Sequence, residues 1–220
     1  MDKIKNGYKS VSSIYDKYIT SGNLFFKIGA KIVWGINEKE YTIKLLDYIS
    51  NDFSGKILDI PAGTGVLTYE KYKKLINSKI ICMDYTNEML EIAKKRFENG
   101  KINNVECKQG DVGNIPFENE TFDMVLSMNG FHAFPEKEKA FSEIKRVLKN
   151  NGFFIGCFYV KGITKRTDWF VKNVFVKNGT FTPPFYSKNE IMEILNNEYK
   201  ELELWNAGSI ICFKCKKYYK

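Results

Sequence analysis

"LDIPAGTG" (residues 58–65) closes an apolar run, Lys56 to Ile60, with two glycines one residue apart. Pro61 stands where a third glycine would complete a glycine-rich turn. A strand that runs into such a turn and then a helix is the first half of a βαβ unit. Glycine accepts left-handed backbone angles and lets the main chain approach a ligand closely. The N–H groups of Ala62, Gly63 and Gly65 are expected to face a ligand anion at the start of the following helix. By itself this turn leaves the ligand open. Gly63-x-Gly65-x-x-Thr68 also imitates a dinucleotide fingerprint, with Asp84 placed 19 residues beyond Gly65 like a ribose-binding acid.

On either side of this turn, strand-like and helix-like segments alternate. Residues 38–50 carry Tyr41, Leu45, Leu46 and Ile49 at helical spacing. After the turn a helix is expected to about Ile76. The apolar run 79–83 (KIICM) ends at Asp84, and Thr86 is placed to cap a helix bearing Met89, Leu90, Ile92, Ala93 and Phe97. Further strands are expected at 104–109, 122–128 (FDMVLSM) and 153–160 (FFIGCFYV). A helix started by Pro135 and stopped by Asn151-Gly152 separates the last two. Residues 164–177 read as helical, Pro183-Pro184 breaks the chain, and Ser187 with Glu190 forms a capping box. Two strands, about 200–205 and 209–215, close the chain around Asn206-Ala207-Gly208 and need no crossover helix. The pattern predicts an α/β, Rossmann-like doubly wound sheet, mostly parallel, with one antiparallel strand from the C-terminal hairpin and helices on both faces.

The chain of 220 residues reads as one domain. Within it, residues 1–36 are expected to form an N-terminal helical lid, 37–160 a cofactor-binding core, 161–186 a lid insertion, and 187–220 the last helix and hairpin. No apolar run approaches the ~20 residues that span a bilayer, and MDKIKNGYKS lacks the apolar core of a signal peptide, so a cytoplasmic location is the expectation. The net charge of +8 is almost all lysine; Arg96, Arg146 and Arg166 are the only arginines. Base and phosphate recognition leans on arginine's planar fork, so specific nucleic-acid binding is not expected. The five cysteines are odd in number and irregularly spaced, which argues against a disulfide framework. Cys212-Phe-Lys-Cys215 lies in a strand-like stretch without a second ligand pair, so no metal site is expected.

Asp59 bears on the ligand. A carboxylate four residues before Gly63 would repel a pyrophosphate but attract the ammonium of an amino-acid head group, such as that of S-adenosylmethionine. At a partly screened ~4 Å that sign difference is worth on the order of a few kcal/mol. Several motifs then agree in order. LDIPAGTG, MDYTNEML (83–90), GDVGNIPFENETFDMVLSMNGFHAF (110–134) and EIKRVLKNNGFFIGCF (143–158) resemble the successive motifs of the class I S-adenosylmethionine-dependent methyltransferases. The resemblance covers about residues 40–160, and the final hairpin is similar to the end of that family's seven-stranded sheet. Pro61 departs from the family's glycine and removes one N–H donor.

The resemblance implies S-adenosylmethionine as cofactor, with S-adenosylhomocysteine as product, and assigns roles by position. Asp84 would accept the ribose hydroxyls. Tyr85 and Met89 would pack on the adenine, Asp111 would take its amino group beside Val112, and Asn129 would stand where donor meets acceptor. Each has a plainer alternative: Asp84, Asp111 and Asn129 as turn formers, Tyr85 and Met89 as core. His132, the only histidine, is either a general base in the acceptor pocket or a packed residue.

The acceptor is expected to be a small molecule, apolar or aromatic. SMNGFHAF lacks the Asn/Asp-Pro-Pro-aromatic pattern of amino methylation on nucleic-acid bases, and a Pro-Cys nucleophile is also missing. Two aromatic segments are expected to cover the pocket, Tyr15, Tyr18, Phe25, Phe26 and Trp34 in one, Trp169, Phe170, Phe181 and Tyr186 in the other. YDKY and KIVWG loosely resemble the N-terminal segment of quinone-biosynthesis methyltransferases. Lys165 and Arg166 either hold an acidic group on the acceptor or are solvated. A nicotinamide-dependent oxidoreductase, a non-catalytic cofactor-binding partner and an RNA methyltransferase are the alternatives. The oligomeric state is not legible.

Overall fold

The computed structural model describes residues 33–35 and 38–218. The expected lid residues Tyr15, Tyr18, Phe25 and Phe26 lie outside the described residues, as does most of the expected lid 1–36.

The described chain runs α1 (Glu38–Leu46), β1 (Lys56–Asp59), α2 (Tyr69–Tyr72), β2 (Lys79–Asp84), α3 (Asn87–Asn99), β3 (Val105–Gln109), β4 (Phe122–Met128) and α4 (Lys137–Val147). It continues through β5 (Leu148–Tyr159), α5 (Lys165–Phe170) with a π-helical turn over Val171–Phe175, α6 (Lys188–Glu198), β6 (Tyr199–Ala207) and β7 (Ile210–Lys217). The seven strands form one sheet in the order β3-β2-β1-β4-β5-β7-β6. Neighbours from β3 to β5 pair parallel, while β7 is antiparallel to both β5 and β6. Only β7 is reversed, as expected of a hairpin appended to a parallel sheet.

The apolar runs read as buried strands because both faces of the sheet are covered. Period-2 alternation sends Leu58, Ile81, Met83, Val125, Phe154 and Phe213 into one core, with Phe131, Phe141 and Ile191. Their chain neighbours Ile57, Ile80, Cys82, Leu126, Ile155 and Cys212 enter the other, with Leu45, Tyr72 and Phe97. Cys212 and Cys215 fall on opposite faces, so their thiols cannot converge on one ion or one bond.

Several boundaries differ from expectation. The helix after the glycine turn is a single turn, Tyr69–Tyr72, instead of running to Ile76. Pro135 lies outside α4, which begins at Lys137 with Glu136 at its N-cap. Asn151-Gly152 does not stop that helix; it lies inside β5, which starts at Leu148. Asn151 takes a left-handed φ of 63° there, and the β4–β5 register shifts between Phe122 and Met124. Asn151-Gly152 falls in the irregular stretch between the pairs Phe122–Leu148 and Met124–Phe153, so the turn residues form a bulge within the strand instead of ending the helix. Thr86 sits at the N-cap of α3 without a side-chain cap bond, whereas Ser187 and Glu190 make both bonds of the capping box.

Candidate functional site

Strand order reverses between β1 and β4, and open α/β sheets bind ligands outside the carboxyl ends of strands at such a point. Asp59 and Asp84 end β1 and β2 there, and Asn129 follows β4 directly.

Asp84 is the best-organised group at this edge. It is buried; one carboxylate oxygen accepts from Gly63 N at 2.8 Å and the other from Thr86 N at 2.8 Å. Burial raises its pKa, and the Thr86 and Gly63 bonds oppose that rise. Two backbone donors fix the side chain, and a carboxylate has lone pairs left for two hydroxyls. Gly63 adopts φ 55°, and a Cβ there would meet nothing within 4 Å, so the turn faces open space beside Asp84. Gly65 is needed for another reason. At φ 69° its missing Cβ leaves room for Phe97 of α3, whose Cζ would lie 2.5 Å from it.

The turn differs from the expected fan of N–H groups. Ala62 N donates to Met83 O at 2.9 Å, Gly63 N to Asp84, and Gly65 N to Ala62 O at 3.0 Å. The first two donors hold the turn on β2, and the third closes the turn on itself. With α2 only one turn long, a helix dipole adds little.

Asp59 also departs from expectation. Its carboxylate lies inside the protein at 1% exposure and accepts from Tyr72 Oη at 2.7 Å, with Thr68 Oγ1 at 3.5 Å and Cys82 Sγ at 4.0 Å. Burial pushes its pKa up to about 7; the Tyr72 bond opposes the rise and the charge of Asp84 adds to it. Asp59 is therefore no permanent charge facing the head group of a ligand, and it does not discriminate an ammonium from a diphosphate in the way its position suggested. A hydrogen-bond partner 13 residues away turned it inward.

His132 is corrected in the same sense. Its ring is buried and stacks on Phe181 with centroids 3.9 Å apart, and its Nδ1 accepts from Tyr159 N at 3.3 Å. That bond places the ring proton on Nε2. Burial, reinforced by the charge of Lys137, pushes its pKa down to about 3. Such a ring is a packing element instead of a general base. A His132→Phe variant should keep kcat within about tenfold and lose about 1–3 kcal/mol of stability by orphaning Tyr159 N–H. A kcat loss of about a hundredfold or more, with the pH–rate limb of a base, would restore the catalytic role.

The remaining candidates follow the ends of β2, β3 and β4 in the chain, with Met89 in the first turn of α3. Met89 and Val112 are buried, and Tyr85 is half-buried with its carbonyl accepting from Gln109 Nε2 at 3.0 Å. Asp111 uses one oxygen to accept from Gly113 N at 2.8 Å, a turn bond that leaves its other oxygen for a ligand. Asn129 holds a left-handed φ of 55°, a conformation asparagine tolerates, and its Nδ2 donates to Tyr41 Oη at 3.2 Å. Lys165 and Arg166 lie exposed on the outer side of α5.

Three residues of the site had no assigned role in the sequence. Tyr41 of α1 orients Asn129 from 88 positions away, and Tyr72 holds Asp59. Lys137, buried, donates through Nζ to Phe134 O at 2.8 Å and Thr182 O at 2.6 Å, pinning the 161–186 segment to the β4–α4 loop. Helical spacing marked Tyr41 only as core. The aromatics Trp34, Phe175, Phe181 and Phe185 converge beside Tyr159 and His132; Phe175 stacks on Trp34 at 5.5 Å and on Phe181 at 5.0 Å.

A seven-stranded sheet of this order, with β7 reversed and acids ending β1 and β2, defines a class I methyltransferase scaffold. The family model described as "Methyltransferase domain" matches residues 52–200. The chain belongs to this family and is an S-adenosylmethionine-dependent methyltransferase of class I. It is 29% identical over 224 aligned positions to the ubiquinone/menaquinone biosynthesis C-methyltransferase UbiE of Campylobacter jejuni, covering 94% of this chain and 89% of that one. It is 31% identical to the demethylmenaquinone methyltransferase of Lactococcus lactis, over 69% of this chain and 56% of the relative. The YcgJ protein of Bacillus subtilis superposes with a TM-score of 0.69 at 18% identity, over 82% of this chain and all of that one. The family match sets aside the nicotinamide-dependent alternative. No helix among the described residues is long and apolar enough to cross a membrane.

Proposed function

We propose that this enzyme methylates a small aromatic or apolar acceptor of quinone or quinol type. The observation that carries the reading is the aromatic cluster Trp34–Phe175–Phe181–Phe185 at the carboxyl end of β5, in which Trp34, Phe175 and Phe185 stay half-buried and offer apolar ring surface to a flat guest. The near full-length similarity to UbiE supports it, since that alignment spans the 161–186 segment as well as the core.

The residues present fit S-adenosylmethionine. The open side of Gly63 next to a backbone-fixed carboxylate is the cradle such a ligand needs. Asp84 would hold the ribose, Tyr85 and Met89 the adenine faces, and Asp111 with the Val112 backbone the adenine edge. The turn Ala62–Gly65 would lie along the amino-acid part, with Asp59 beneath it. When bound, the cofactor supplies an activated methyl group for in-line displacement onto the acceptor. Asn129, oriented by Tyr41, would position the acceptor. The aromatic segments exclude water, and Lys137 keeps them on the β4–α4 loop. Orientation and water exclusion suffice to lower such a barrier by up to ~7–11 kcal/mol.

Incubation of the enzyme with S-adenosylmethionine and a panel of quinols, phenols, amines and RNA tests the reading. Methylated quinol or phenol detected by mass spectrometry, with equal release of S-adenosylhomocysteine, is expected. Turnover confined to amines or RNA would overturn it.

A further inference from the structure

We propose that the outer face of α5 and its π-helical extension docks the enzyme on an anionic lipid bilayer. The inner face of this segment is fully committed. Thr167 and Val171 are buried, and Thr167 Oγ1 donates to Val33 O at 2.6 Å. The outer face carries Trp169 at 58% exposure; Ile163, just before the helix, and Val174, in the π-helical turn, are exposed at 44% and 40%. Lys165 and Arg166 stand one helical turn before Trp169, and Lys172 about one turn after it; all three are exposed, as is Lys177. None of these four cations has an ion-pair partner among the described residues. Lys161 is the exception in the segment and pairs with Glu190 at 3.4 Å.

The one acid between residues 161 and 177 is turned away from this face. Asp168 accepts from Tyr159 Oη at 2.6 Å and from Gly162 N at 3.0 Å, so it is bound to the body of the protein. What remains outside is a cationic ring around an indole and two aliphatic side chains. That combination matches the surface of a bilayer containing anionic lipids: the cations meet headgroup charge, and the indole sits at the level of the headgroups. A nucleic acid would satisfy the cations but leave Ile163 and Val174 without an apolar partner. The segment leaves the carboxyl end of β5, the end of the sheet that carries Asp84 and Asn129. Docking there would bring the proposed acceptor site to the phase in which an apolar quinone dissolves, and in that respect the inference rests on the proposed function.

Co-sedimentation of the full chain with phosphatidylcholine vesicles, with and without phosphatidylglycerol, tests it. Binding should appear only with the anionic lipid and weaken as salt rises. The double variant Lys165→Gln, Arg166→Gln should lower partitioning about thirtyfold, at about fivefold per cation. Trp169→Ala, exposed and therefore harmless to folding, should lower it about tenfold. Lys94→Gln with Lys95→Gln, which removes the same charge from α3, should change it less than about twofold. Equal binding to neutral vesicles overturns the proposal. So does an equal loss in the α3 variant, or displacement from vesicles by RNA that binds Trp169→Ala as well as wild type. The assay needs no methyl acceptor. Quinol methylation without vesicle binding removes only the docking face, and vesicle binding without turnover on quinols or phenols removes only the acceptor assignment.

Discussion

Asp84→Asn is expected to weaken S-adenosylhomocysteine binding by about tenfold to a hundredfold, the cost of about 1.5–3 kcal/mol for losing hydrogen bonds to a charged acceptor. The carboxylate already serves Gly63 N and Thr86 N, one oxygen each. An amide supplies one oxygen and two donors, so it must either turn its NH2 toward a backbone N–H or face the ribose with the wrong polarity. Titration calorimetry reads the affinity. A urea midpoint measured in parallel reads the stability cost, expected at about 1–3 kcal/mol. Alanine is the poorer probe, since it strips both backbone donors of their acceptor and confounds binding with folding. Unchanged affinity in the asparagine variant would remove Asp84 from the cofactor site.

Asp59→Asn is expected to stabilise the protein at neutral and higher pH while changing little in acid. Burial holds the folded-state pKa of Asp59 at about 7, above its ordinary value of 3.8. Between those two values the folded state keeps a proton that the unfolded state releases. The contribution to stability is therefore fully present below the lower value and is lost as pH rises through the upper one. The shift corresponds to a few kcal/mol, as an order of magnitude, for a group this deeply buried. Asparagine keeps an acceptor for Tyr72 Oη and carries no charge at any pH, so the stability difference between the two proteins should move in favour of the variant as pH rises across that window. Thermal melts across the window test this. A variant-minus-wild-type difference that stays constant across the window, or a variant less stable than wild type at pH 8, would show that Asp59 is ionised in the folded protein.

The same protonation bears on binding. Asp59 and Asp84 end adjacent strands, and each charge raises the cost of the other. A ligand bearing an ammonium at this edge would offset that repulsion and draw the proton from Asp59.

What could be read along the chain was whatever the backbone demands locally. Gly63 and Gly65 occupy left-handed angles that other residues rarely adopt, so a tight turn after β1 was legible from their spacing alone. The alternation that sends Leu58 to one core and Ile57 to the other is set by strand geometry, and the capping box of α6 is satisfied within four residues. Those signals, repeated in order, determined the doubly wound fold, the position of the reversed strand and the cluster of acids at the strand ends. Only the tertiary structure decided what those groups do there. Asp59 turned inward because Tyr72 was waiting beneath it, His132 lost its basicity because Phe181 closed over it, and Asn129 was aimed by Tyr41 from 88 positions away. Backbone preference acts over a few neighbouring residues, whereas orientation and charge state depend on desolvation and on partners that meet only when distant segments pack.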